Sequence, residues 1–176
     1  MKKMMTAVVA LLAMVSVFAE EFIAKDMLGN AQAFETWEKH EKAQFKEGAG
    51  PDGKNAVTIS SLHGGPFMIS KSLNEEALKK MKGRKVTLYG QIKAENVKKT
   101  PRHWEGVKFQ IVYKEKGVKG ARFAEGNVQR TGSYDWKEFE TSAKLPQDLE
   151  SFTIKIGVQG TSGRILVSDI DLKFTE

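Results

Sequence analysis

Apolar and polar residues alternate with a period of two along most of the second half of the chain. In KVTLYGQIKA, Val86, Leu88, Gly90, Ile92 and Ala94 fall on one side, and Lys85, Thr87, Tyr89, Gln91 and Lys93 on the other. That is the signature of a strand with one face on a core. VKFQIVY repeats it with Val107, Phe109, Ile111 and Tyr113, and FTIKIGVQ with Phe152, Ile154, Ile156 and Val158. RILVSDIDLKF carries Ile165, Val167, Ile170 and Leu172, and its change of phase near Ser168 predicts a bulge. NAVTISSL and PFMIS read as shorter strands parted by the turn residues His63, Gly64, Gly65 and Pro66.

One segment breaks the alternation. Ser72 and Glu75 stand at capping-box spacing around Leu73, Ala77, Leu78 and Met81, and Gly83 supplies a stop, so a short helix is predicted over Leu73 to Lys82. Strands joined by polar turns, without alternating helices, predict an all-β, two-sheet antiparallel sandwich of jelly-roll type. Its expected core is Val57, Ile59, Val86, Leu88, Ile92, Phe109, Ile111, Phe139, Ile154, Ile156, Val167 and Ile170. From residue 25 to 53 only FETWEKH and KAQFKEG have strand character, and Trp37 is unassigned.

The N-terminus changes the compartment. Lys2 and Lys3 precede the apolar run AVVALLAMVSVFA, too short for a typical membrane span, and Glu20 and Glu21 follow it. Residues 1–19 therefore read as a signal peptide cleaved after Ala19, leaving 157 residues as one domain, 20–176, secreted or periplasmic. The chain has no cysteine, hence no disulfide, and its fold rests on packing. Removing Lys2 and Lys3 lowers the net charge from +6 to +4, with lysines scattered among glutamates, a balance that argues against nucleic-acid binding.

GRKVTLYGQIKAENV, WEGVKFQIVY, GSYDWKEFE with Pro146 downstream, and IKIGVQGTSGRILVSDIDL occur in that order between about Ala56 and Phe174. Together they resemble the jelly-roll carbohydrate-binding modules of the galactose-binding-like superfamily, of the type attached to bacterial glycoside hydrolases. The resemblance implies a concave sheet able to hold a poly- or oligosaccharide and, often, a structural calcium ion near the chain termini. Two departures touch that calcium. Ser168 and Asp169 stand where a paired Asp-Asp is common, and no Asn-Gly-Phe-Glu segment is recognisable near Asn30. Asp169 is then the candidate ligand and Asp171 a second, which is thin for an ion wanting six to eight oxygens.

Sugar recognition needs an aromatic plane under the apolar face of a pyranose and polar groups around it for the hydroxyls. The outward phases supply Tyr89 and Gln91, Lys108 and Gln110, and Lys155 and Gln159, grouped here as one polar face. The same residues are equally what a solvated sheet face carries. Trp104, in the loop PRHWEG, is either an exposed binding ring or a ring packed under its loop. In GSYDWKEFE, Tyr134 and Trp136 are either structural or ligand-facing, with Trp136 in phase with Glu138 and Glu140.

Catalysis finds little support. His40, His63 and His103 show no metal-ligand spacing, no Gly-x-Ser-x-Gly elbow occurs, and a thiol nucleophile is excluded. Tyr89, Arg102 and His103 could be cast in a polysaccharide-lyase role, the weakest of the readings. The expectation is a non-catalytic carbohydrate-binding module. The alternative is an envelope structural or interaction protein, with the same fold, a protein partner and no sugar ligand.

Overall fold

The computed structural model describes residues 21–175, so the expected signal peptide lies outside the described residues. In chain order the elements are β1 (Phe22–Ala24), α1 (Ala31–Glu35), β2 (Ala43–Lys46), β3 (Ala56–Ser61), β4 (Pro66–Ser72), α2 (Glu75–Met81), β5 (Lys85–Val97), β6 (Gly106–Glu115), β7 (Arg122–Glu125), β8 (Gly132–Lys144), β9 (Leu149–Gln159) and β10 (Gly163–Thr175). The strands form two antiparallel sheets. The larger runs β2-β3-β10-β5-β8, with β1 also paired to β10, and the smaller runs β4-β9-β6-β7. This is the two-sheet sandwich that the alternation predicts.

The inward phases meet as a core. Leu88 and Ile92 of β5, Phe109 and Ile111 of β6, Ile154 and Ile156 of β9, and Val167 and Ile170 of β10 are all buried, and of the expected core only Phe139 is half-buried. Gly90 sits in the inward series because a Cβ there would stand 2.4 Å from Ile170 Cδ1 and 3.1 Å from the Phe109 ring. The glycine lets the two sheets close at that point.

Two local expectations change and one holds. The helix is capped by Asn74, whose side chain accepts from the Ala77 N–H, rather than by Ser72, which ends β4 paired with Thr153. Gly83, at φ +67°, follows it as expected. The 25–53 segment contributes α1 and β2, and Trp37 is core, its indole N–H donating to the Met27 carbonyl at 3.0 Å. The bulge in β10 is present: its register on β5 shifts between Ser168 and Asp171, with Asp169 at φ +53°. That shift turns Asp169 and Asp171 onto the outer face of the larger sheet.

Candidate functional site

The outer face of the larger sheet carries a groove of about 700 Å³. Its floor comes from neighbouring strands, because Tyr89 of β5 pairs with Asp171 of β10 on one side and Glu140 of β8 on the other, and Gln91 pairs with Glu138. Side chains opposite one another on one face of a sheet lie within reach of a common ligand. The segment after β1, with Lys25 and Asp26, and the turn before β3, with Lys54 and Asn55, also line the groove.

The groove is ordered by its own polar contacts. Asp169 accepts from the Lys54 ammonium at 3.0 Å and from the Gln91 amide at 3.1 Å. That bond, followed by the carboxylate's charge, raises the pKa of Lys54. Asp171 accepts the Asp26 backbone N–H at 2.7 Å, fixing the segment after β1 against β10. The Lys173 ammonium lies 4.9 Å from the Tyr89 ring centroid and 4.7 Å from that of Phe22, which also carries Lys25 at 5.1 Å. Glu138 is exposed. A half-buried phenol ring thus stands in a groove lined by the carboxylates of Asp26, Glu138, Asp169 and Asp171 and the amides of Asn55 and Gln91, groups that accept or exchange hydrogen bonds with hydroxyls.

Of the residues expected to bind, Tyr89 and Gln91 line this groove, whereas Trp136 is half-buried on β8 and is not part of the lining. Beside Trp136 the Asp135 carboxylate pairs with Lys93 at 3.1 Å; the Trp136 backbone N–H, then Lys93, hold its pKa below the usual range. Tyr134 instead turns inward, buried against Phe139, and its hydroxyl meets no hydrogen-bond partner. Desolvation pushes its pKa up. The expected single face does not form, because Lys108, Gln110 and Gln159 belong to the other sheet. Lys108 and Gln110 keep their outward phase on β6 but are only 3% and 5% exposed. The cause is local: β6 is an interior strand, and Lys108 turns along the sheet to Glu125 at 2.8 Å, while Glu125 also holds Arg130. Trp104 lies apart from the groove, exposed in the β5–β6 loop.

Lys25, Asp26, Lys54, Glu138 and Lys173 are groove residues that the sequence reading did not select. Only Glu138 carried a signal, its phase with Glu140 and Trp136; the others reach the groove through pairings that no local pattern encodes. The residues do not fit a calcium ion at Asp169, since a lysine ammonium and an amide occupy that carboxylate. The preceding Ser168 spends its hydroxyl on the Asn55 carbonyl at 2.7 Å. Among the described residues no three His, Cys, Asp or Glu side chains stand together so as to hold a metal. Nor is any described helix long and apolar enough to cross a membrane.

No protein-family model matches the sequence, and no curated protein matches it. Solved structures do. The CBM22-1–GH10 modules of Clostridium thermocellum endo-1,4-beta-D-xylanase 10B, complexed with xylohexaose, superpose with a TM-score of 0.67 at 12% identity, over 90% of this chain and 29% of that one. The CBM22-1 xylan-binding domain of Paenibacillus barcinonensis Xyn10C gives 0.64 at 12% identity, over 90% of this chain and 97% of that one. A family 16 carbohydrate-binding module gives 0.54 at 12%, over 77% of this chain and 89% of that one. At these identities the likeness is one of fold: this chain folds as the jelly-roll carbohydrate-binding modules do.

Proposed function

We propose that this chain is an exported, non-catalytic carbohydrate-binding module that holds a poly- or oligosaccharide in the groove of its larger sheet. One observation carries the reading. Tyr89 and Gln91 are brought by strand pairing into a single groove with Asp171 and Glu138, a ring for the apolar face of a pyranose beside acceptors for its hydroxyls. The fold shared with xylan-binding modules supports the same class and makes xylan the first ligand to try. Fold alone does not assign a ligand, so the weight rests on the groove.

The test is affinity gel electrophoresis over xylans and β-glucans, with wild type, Tyr89→Ala and Glu138→Gln, and thermal melts as the check on folding. Wild type is retarded by at least one neutral polysaccharide, and Tyr89→Ala loses about tenfold or more in affinity, the order of loss for a contacting ring. Well-folded wild type that binds no glycan would refute the sugar reading and leave the envelope interaction protein.

A further inference from the structure

Trp104 has no part in the groove, yet it is 41% exposed and its loop is anchored at both ends. At the start of the loop the Lys98 N–H donates to the Ser162 carbonyl at 2.9 Å, and Thr161 Oγ1 donates to the Lys98 carbonyl at 2.8 Å. At the end, the Glu105 N–H closes a turn on the Arg102 carbonyl, and the Arg130 guanidinium donates to the Trp104 carbonyl at 3.4 Å. Glu105 is buried and packs on Gly160, where a Cβ would stand 2.4 Å from its Cδ. The ring is therefore exposed on a fixed backbone, so a ligand meeting it bears little ordering cost.

The loop's charge is of one sign at its surface. Lys98 and Lys99 are exposed, and neither pairs with a carboxylate among the described residues. The Arg102 guanidinium stands 5.5 Å from the Trp104 ring centroid. The one acid in the loop, Glu105, is buried and answers only Arg102, at 3.4 Å. The β3–β4 turn joins the same end through Ser61 Oγ, which donates to the Thr161 carbonyl at 2.6 Å, and it presents Leu62, 65% exposed.

We propose that this loop is a second binding site, for a polysaccharide bearing uronate groups. The indole takes the apolar face of a pyranose, and Lys98, Lys99 and Arg102 take the carboxylates of that sugar and its neighbours. A nucleic acid fits less well, because its evenly spaced phosphates call for a long basic track, whereas here the cations cluster in one eight-residue loop. The site is separate from the groove and does not need the groove to bind.

The test is affinity gel electrophoresis in polygalacturonate. Wild type and Tyr89→Ala are retarded alike, while Trp104→Ala and the double variant Lys98→Gln/Lys99→Gln each bind about tenfold more weakly. Raising NaCl from about 50 mM to about 0.5 M weakens wild-type retardation through screening. Lys79→Gln/Lys80→Gln on α2 makes the same change of charge far from the loop in sequence and binds as wild type. The proposal is overturned if polygalacturonate does not retard wild type, if retardation survives both loop variants, if the α2 control weakens it equally, or if single-stranded DNA binds as tightly. Because wild type and Tyr89→Ala are scored in xylan as well as in polygalacturonate, failure here and failure of the groove reading are told apart.

Discussion

The ammonium of Lys108 rests 2.8 Å from the carboxylate of Glu125, on the face of the smaller sheet turned away from the core. Glu125 also binds Arg130, so one carboxylate ties β6, β7 and the chain leading to β8 together. Burial works to raise its pKa, but the hydrogen bonds from Lys108 and Arg130, with their charges, outweigh that and hold it below the usual range.

Removing Glu125 strands a buried ammonium, so Glu125→Ala is expected to lose about 2 kcal/mol in urea unfolding, less than for a fully buried pair because Glu125 keeps some solvent. Because the folded pKa is depressed, the contribution is fully present above the unfolded value, about 4.3, and is lost as pH falls through the lower folded value. Wild type therefore loses stability between pH 7 and pH 3 more steeply than Glu125→Gln. Parallel acid limbs for the two proteins would show that the pair is not coupled to folding.

Tyr134 is a core ring whose hydroxyl is buried without a partner. An unsatisfied hydroxyl costs desolvation and returns nothing, so Tyr134→Phe is expected to be neutral or to gain about 1 kcal/mol in chemical denaturation. A loss of more than about 1 kcal/mol would mean that the hydroxyl has a partner in solution.

Asp169 is held by Lys54 and Gln91, and Ser168 by the Asn55 carbonyl. With Lys54 and Gln91 on its carboxylate, Asp169 is expected to take no calcium ion. Thermal melts in excess calcium and in excess chelator should superimpose, and a higher midpoint with calcium would contradict this arrangement. The companion variant Lys54→Ala, which removes the ammonium bonded to that carboxylate, should leave the protein folded.

Periodicity alone determined the β class, strands β3 to β6, β9 and β10, the bulge near Ser168 and a set of core positions of which only Phe139 is half-buried. The reason is physical: a strand with one buried face writes that face into its own sequence at every second position. It likewise put Tyr89 and Gln91 outward. What periodicity cannot carry is which outward faces are shared. Tyr89 and Lys108 have the same phase on consecutive strands, yet β5 lies between β10 and β8 in one sheet and β6 between β9 and β7 in the other, so the two residues face opposite sides of the sandwich. Strand order is set by long-range packing and by which ends meet, and it brought Asp171, Glu138 and Lys54 to Tyr89. Tyr134 and Trp136 divide for the same reason. The register on β5 shifts between Ile92 and Ala94, so the chain around Asp135 changes phase, and only the paired neighbour strand reveals which ring turns in.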